Sequence, residues 1–274
     1  MTLPHRAETA GEEWLYRQEG DLYIPSRYTE GPWDPEAQFG GSPSALLITL
    51  VEQVPSLVPM RIARFTLDLL RPVPLAPLRA DVRVVREGKR IQAVSASLLA
   101  DDLLVARASA VRVRVLDLAP HLAEHGADLP DGASTNPLPE NPRPIDEEPF
   151  PDRVPPGSRY AVEYLYEGRG GYFRDPTWVR LKVPPLAGQP VSPVARLAYT
   201  ADLGNGVGHV RGLPLTGINL DLAINVVRYP AGEWLCLDGR GWISPTGVGQ
   251  VQGTISDPAG LCCTLAMIRL VDPA

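Results

Sequence analysis

The chain has three cysteines in 274 residues, Cys236, Cys262 and Cys263. Three thiols make no disulfide framework, and a reduced, cytoplasmic setting is the expectation. No apolar run approaches the roughly 20 residues that cross a bilayer, so no membrane partner is expected. The opening M-T-L-P-H-R-A-E-T-A-G-E-E-W lacks the apolar centre of a signal peptide. Positive charge is scarce: 26 Lys and Arg face 32 Asp and Glu, a net charge of −6. That excludes a phosphate-binding surface as the main business, and with it a nucleic-acid partner. There is no G-x-G-x-x-G, no phosphate-binding loop with its Lys-Ser/Thr and no G-x-S-x-G, and no cofactor is expected. Of four histidines, His121 and His125 have helical i, i+4 spacing. No third ligand at a known metal spacing accompanies them, and no metal is expected.

What is present is globular: 44% hydrophobic and 21% charged residues. The most informative stretch is S-P-V-A-R-L-A-Y-T-A-D-L-G-N-G-V-G-H, residues 192–209. Ser192 is the expected N-cap and Pro193 the first helical residue. Gly204 is the expected left-handed stop. Asp202 then falls in the last turn, facing the negative end of the helix dipole. Two readings of it stand: a solvated helix-end acid, or a buried carboxylate with a raised pKa and the makings of a base.

Ser42-Pro43 repeats the Ser192-Pro193 pair and opens a second helix that is apolar nearly all round, ending by Pro55. Strand-like runs follow at Ile62–Leu70, Leu78–Arg86, Ile91–Ala100 and Leu103–Val115, with tight turns at 87–89 and 101–102. Ten prolines between Pro120 and Pro156 then mark a segment unsuited to a sheet ladder or a long helix, read as a surface linker. After it, strands are expected at 160–167 and 178–183. The Ser192 helix follows, then strands at 218–227, 234–243, 249–256 and 261–271. Sliding the chain by 157 positions pairs Arg71 with Arg228, Leu78 with Leu235, Asp81 with Asp238, Val94 with Val251 and Arg112 with Arg269. The helices pair Ser42 with Ser192, and Glu52 with Asp202, at a shift of 150. Matching caps, turns and strand ends indicate a duplicated chain. Its expected parts are residues 1–117, a linker at 118–158, and residues 159–274.

G-G-S-P-S-A-L-L after Pro32-Trp33, W-V-R-L at 178–181, A-D-L-G-N-G at 201–206 and I-N-L-D-L-A-I-N-V-V-R-Y-P-A-G-E-W-L at 218–235 resemble the acyl-CoA thioesterase II-like family. The resemblance spans nearly the whole chain. It implies an α+β double hot dog fold: two antiparallel sheets, each wrapped around a central helix and joined edge to edge. It also implies a homodimer or higher homo-oligomer acting on an acyl-CoA or another acyl thioester.

The family's hydrolases hold an attacking water between an Asp, a Thr and a Gln. The Asp matches Asp202. The Thr position reads Asn219 and the Gln position Thr264, so one residue of three is kept. Asn219 and Thr264 can each donate and accept, which leaves a water-fixing role open to both. Gly40-Gly41-Ser42 would supply backbone donors to an oxyanion. Trp33, Phe39 and Tyr199 would line an acyl tunnel, although Tyr199 better suits a core. Asp221, two residues from Asn219, would share its strand face. Asn205 in A-D-L-G-N-G is a candidate substrate contact. Glu52 is the first-half counterpart of the base. Arg71 and Arg228, at strand ends, suit either a CoA phosphate or a structural role repeated in both halves. The alternative reading is a non-catalytic acyl-thioester or lipid-binding protein that has lost the water site.

Overall fold

The computed structural model describes residues 13–32, 34, 36–126, 136–139, 143–144, 160–166, 176–207 and 214–274. The apolar run after Gly40 forms helix α1 (Gly41–Glu52), buried from Gly41 through Val51. A helix without a polar face has nowhere to go but the interior. Helix α2 (Ala119–Glu124) is short and has no buried residue. Helix α3 (Pro193–Asp202) is buried from Val194 through Asp202, and one short turn, α4 (Gly204–Val207), continues it. Ser192 caps α3 as expected: its backbone is extended and its Oγ accepts from the Ala195 N–H at 3.2 Å.

Two other cap expectations are corrected. Ser42 lies inside α1, whose N-cap is Gly40, a residue with no side chain to offer. Gly204 is not left-handed but begins α4. Its small size serves packing, since a Cβ there would sit 3.3 Å from Leu265 and Met267 side-chain atoms.

The strands are β1 (Tyr16–Glu19), β2 (Leu22–Pro25), β3 (Met60–Leu69), β4 (Leu78–Arg86), β5 (Ile91–Ala100), β6 (Leu103–Arg114) and β7 (Arg143–Pro144). They continue with β8 (Val162–Tyr166), β9 (Thr177–Leu181), β10 (Leu215–Asn219), β11 (Asp221–Val226), β12 (Leu235–Ile243), β13 (Val248–Asp257) and β14 (Gly260–Pro273). All lie in one sheet, ordered β1-β2-β4-β5-β6-β3-β11-β14-β13-β12-β9-β8-β7, with β10 also on β14. Asp101 and Asp102 take positive φ (46° and 63°), the conformation a two-residue β5–β6 hairpin requires. The halves join where β3 pairs antiparallel with β11, placing Phe65 beside Ile224 and Leu67 beside Leu222, all four buried. The expected pair of sheets is therefore continuous. Helix α1 packs on β3–β6, and α3 on β9 and β11–β13. The two helices lie antiparallel, with the Ser44 hydroxyl donating to the Ala198 carbonyl at 3.2 Å. The expected linker, 118–158, lies mostly outside the described residues. The part within them includes α2 and the short β7.

The expected strand 218–227 is broken at Leu220. β10 pairs Asn219 with Arg269 of β14, whereas β11 pairs Ala223 with Ala266, so this side carries one extra residue. One extra residue reverses which side chains face inward. Asn219 and Asp221 therefore lie on opposite faces. Asp221 accepts the Ile268 N–H at 2.6 Å and faces away from the interior.

Below β14, a buried ion pair fixes the loops. Asp257, 1% exposed, accepts from both terminal nitrogens of Arg228 and from the N–H groups of Ala231 and Ala259. Burial alone would raise its pKa, but these four donors outweigh it and hold the carboxyl at about 2. Arg228 is thus structural. Stability from this group is complete above the ordinary carboxylate pKa and is lost as pH falls toward 2. Asp257→Asn should cost about 2 kcal/mol at pH 7 and show a shallower loss of stability between pH 4 and 2. Urea titrations across that range check it. An unchanged acid limb would show that Asp257 is not the group responsible.

Candidate functional site

Asp202 ends α3 with 1% of its surface exposed. Its carboxylate meets the first turn of α1 from across the helix pair. The Gly41 N–H donates to it, and so does the Asn219 side-chain amide from β10. This explains the missing cap of α1: Asp202 does the capping from the other half of the chain. It also explains Gly40, since a Cβ there would lie 2.8 Å from Asp202 Oδ1. Gly41 is equally confined, by Phe39 and by the Tyr199 carbonyl at 3.1 Å. Desolvation disfavours the charged carboxylate and the two donors favour it. Desolvation prevails, and the pKa is pushed up to about 7.

Asp202 and Asn219 open onto a cleft of about 240 Å³. Its apolar walls include Phe39, Leu69, Pro72, Val73, Ile218 and Leu220. Arg71 and Asp34 supply charge along it. Tyr199 is fully buried behind Phe39, with ring centroids 5.3 Å apart. It is a core residue rather than a tunnel wall.

The expected site residues thus separate. Asp202, Asn219, Phe39, Gly40 and Asn205 all line the cleft, and Gly41 bonds Asp202 from behind. The Gly41 N–H is consequently engaged, and the Ser42 N–H bonds the Phe39 carbonyl at 3.0 Å, so neither serves an oxyanion. Asn205 is not a substrate contact through its amide: Nδ2 donates to the Gly217 carbonyl and Oδ1 accepts from Arg269. Asp221 is on the outer face, as described above. Trp33 lies outside the described residues.

Thr264 is also corrected. It is exposed, flanked in register by exposed Asn225 and Thr254, and its chain neighbours Cys263 and Leu265 point into the core. Strand alternation carries it away from Asp202. Glu52 ends α1 and does not line the cleft.

Of the cleft wall at Leu69–Val73, contributed by the first half, sequence reasoning named Arg71 and missed the apolar residues around it. It noted Arg269 only as the repeat partner of Arg112. Away from the cleft, His121, Glu124 and His125 bring three ligand atoms within 4.8 Å of one another, but all three residues are exposed.

Residues 29–113 match the acyl-CoA thioesterase N-terminal domain, and residues 139–266 the acyl-CoA thioesterase C-terminal domain. Solved structures agree on the fold. A candidate thioesterase from Novosphingobium aromaticivorans is 23% identical, with a TM-score of 0.70 over 93% of this chain and 98% of that one. A hot dog protein of unknown function from Alicyclobacillus acidocaldarius is 16% identical, with a TM-score of 0.65 over 94% and 96%. An acyl-CoA thioesterase II from Mycobacterium marinum is 18% identical, with a TM-score of 0.63 over 94% of each. No curated protein matches the sequence. The fold is that of the hot dog thioesterases. The chain belongs to the acyl-CoA thioesterase family, whose two domain models together take in most of its length. Among the described residues no helix is long and apolar enough to cross a membrane.

Because its folded pKa is raised, Asp202 contributes stability in its protonated form. That contribution is complete below the unfolded value of 3.8 and is lost as pH rises through about 7. Asp202→Asn removes the titration. Relative to wild type, the variant should gain stability between pH 4 and 8, by up to about 4 kcal/mol. Parallel denaturation curves for the two proteins over that range would refute the burial-raised pKa.

Proposed function

We propose that the protein hydrolyses an acyl-CoA thioester, with Asp202 as general base. The observation that carries this is a buried carboxylate with a raised pKa, held by two donors and opening on a mostly apolar cleft. Ionised Asp202 takes a proton from water, and the resulting nucleophile attacks the thioester carbonyl. The tetrahedral intermediate collapses, the carbon–sulfur bond breaks, and the thiolate leaving group collects a proton. Asn219 donates to Asp202 through its amide nitrogen, which leaves its carbonyl oxygen to accept from the water. The Gly40 N–H is the remaining amide of its turn for the oxyanion. Leu69, Ile218 and Leu220 offer the acyl chain an apolar wall, and Arg71 suits a CoA phosphate.

In this reading the chain is a double hot dog. Residues 1–117 and 159–274 are its halves, each with its part of the sheet around its own helix, and 118–158 joins them. The buried, unpaired cysteines suit a cytoplasmic setting. Exposed Ile218, Leu270 and Val248 form one row across β10, β14 and β13, which suits a homo-oligomer.

One observation favours a second reading. With Thr264 on the outer face, only two side chains remain to hold the water, as in a protein that binds acyl thioesters without cleaving them.

Thiol release from short, medium and long acyl-CoAs decides between them. The hydrolase reading expects kcat/KM to rise with pH through about 7 and then level, as the base ionises. Asp202→Asn should cost about 10²–10⁴-fold in kcat. Thr264→Ala should leave both constants at wild-type values. Saturable binding with no turnover across the panel would establish the binding protein and remove the hydrolase.

A further inference from the structure

Asn205 lies three residues beyond Asp202, and its amide is spent on protein rather than on the cleft. Nδ2 donates to the Gly217 carbonyl at 3.1 Å, and Oδ1 accepts from Arg269 Nε at 2.5 Å. Both targets flank Asn219. Gly217 precedes it by two residues on β10, and Arg269 is its register partner on β14. One side chain therefore ties the end of the Asp202 helix to the two strands that carry and border the Asn219 amide. The cluster is closed to water, with Asn205 7% and Arg269 3% exposed. Gly217 leaves the guanidinium its place: a Cβ there would lie 2.2 Å from Arg269 Nη2.

The first half shows what the fold needs without a site. Arg112, the repeat partner of Arg269, reaches the chain after α1 through the Val54 carbonyl at 2.6 Å. It also donates at 2.6 Å to Oε1 of Gln92, whose Nε2 donates to the Pro55 carbonyl at 2.8 Å. The carboxamide there comes from β5 and not from the helix end: the 150-residue helix shift puts Pro55 opposite Asn205, and the 157-residue strand shift puts Ile62, a core residue, opposite Asn219. A carboxamide borne by the helix end, and tied to the strand that carries the Asp202 donor, occurs only in the second half.

We propose that Asn205 and Arg269 are positioning residues, which set the Asn219 amide against the Asp202 carboxylate. This rests on the hydrolase reading only for its consequence in turnover. The geometry can be tested without substrate.

The direct readout is the titration of the Asp202 carboxyl in the folded protein, by carbon NMR, with the signal identified from Asp202→Asn. Among the described residues, Tyr199 on the same helix and Asp34 and Arg71 along the cleft are the other titratable groups around it, and all are retained. Asn205→Ala and Arg269→Met should each raise the midpoint by about one pH unit, because the ionised form loses a held donor. Each should lower kcat by about tenfold while leaving KM close to wild type, because a loosened water forfeits orientation. Arg269→Lys keeps a donor toward Asn205 and should restore both values. Folded Asn205→Ala and Arg269→Met with the wild-type midpoint would overturn the proposal. If neither variant folds, the cluster is a folding determinant, and the positioning role is likewise overturned. A shifted midpoint in a protein without turnover would sink the hydrolase reading alone.

Discussion

A carboxylate almost without access to water sits where the C-terminal end of one helix meets the N-terminal end of another. Asp202 is unfavourably placed at the end of its own helix, where the dipole is negative, and favourably placed at the start of α1, where it is positive. The contact makes each half of the chain depend on the other. Helix α1 begins with two glycines and no capping side chain, so its first amide would go unsatisfied without Asp202. Asp202 in turn would lose one of its two donors and keep only the Asn219 amide. Gly40 and Gly41 leave room for this contact, and Asn219 completes it.

Around that contact the two halves are unequal. Both carry an acid at the end of the central helix and a buried arginine near it. In the first half these are Glu52 and Arg112, beside an apolar strand residue, Ile62. In the second they are Asp202 and Arg269, with Asn219 and Asn205 added. The first half keeps the frame and supplies the cleft wall at Leu69–Val73 together with the α1 N-terminus. The second half brings the buried carboxylate and its asparagine donor. Neither holds a complete site alone, and this is a physical reason for a linked pair rather than a single unit.

The positions legible in the sequence were those governed by local rules. Ser192 announced its cap, Asp101-Asp102 their tight turn, and the apolar run after Gly40 its enclosure. Asp202 could be placed in a last helical turn. Whether it was solvated could not be read, because burial depends on what packs over it. Asp221 and Thr264 were misplaced for different reasons. The extra residue at Leu220, set by pairing with β14, turns Asp221 away from the face of Asn219, whereas β14 itself alternates regularly from Cys263 to Val271 and carries Thr264, five residues from buried Arg269, to the outer face. Asn205 was noticed in its motif, but its partners lie 12 and 64 positions away.

The sequence by itself determined most of the elements, the order of the meanders and the place of an acid in the last turn of α3. All of these follow from propensity, periodicity and turn chemistry within a short stretch of chain. Only the tertiary structure decided that Asp202 is desolvated, that its donors are Gly41 and Asn219, and that Asn205 faces protein instead of substrate. A pKa and a hydrogen-bond partner are properties of what surrounds a group in space. Here the surroundings come from α1 and β10, which lie far apart in the chain from each other and meet only at the helix junction.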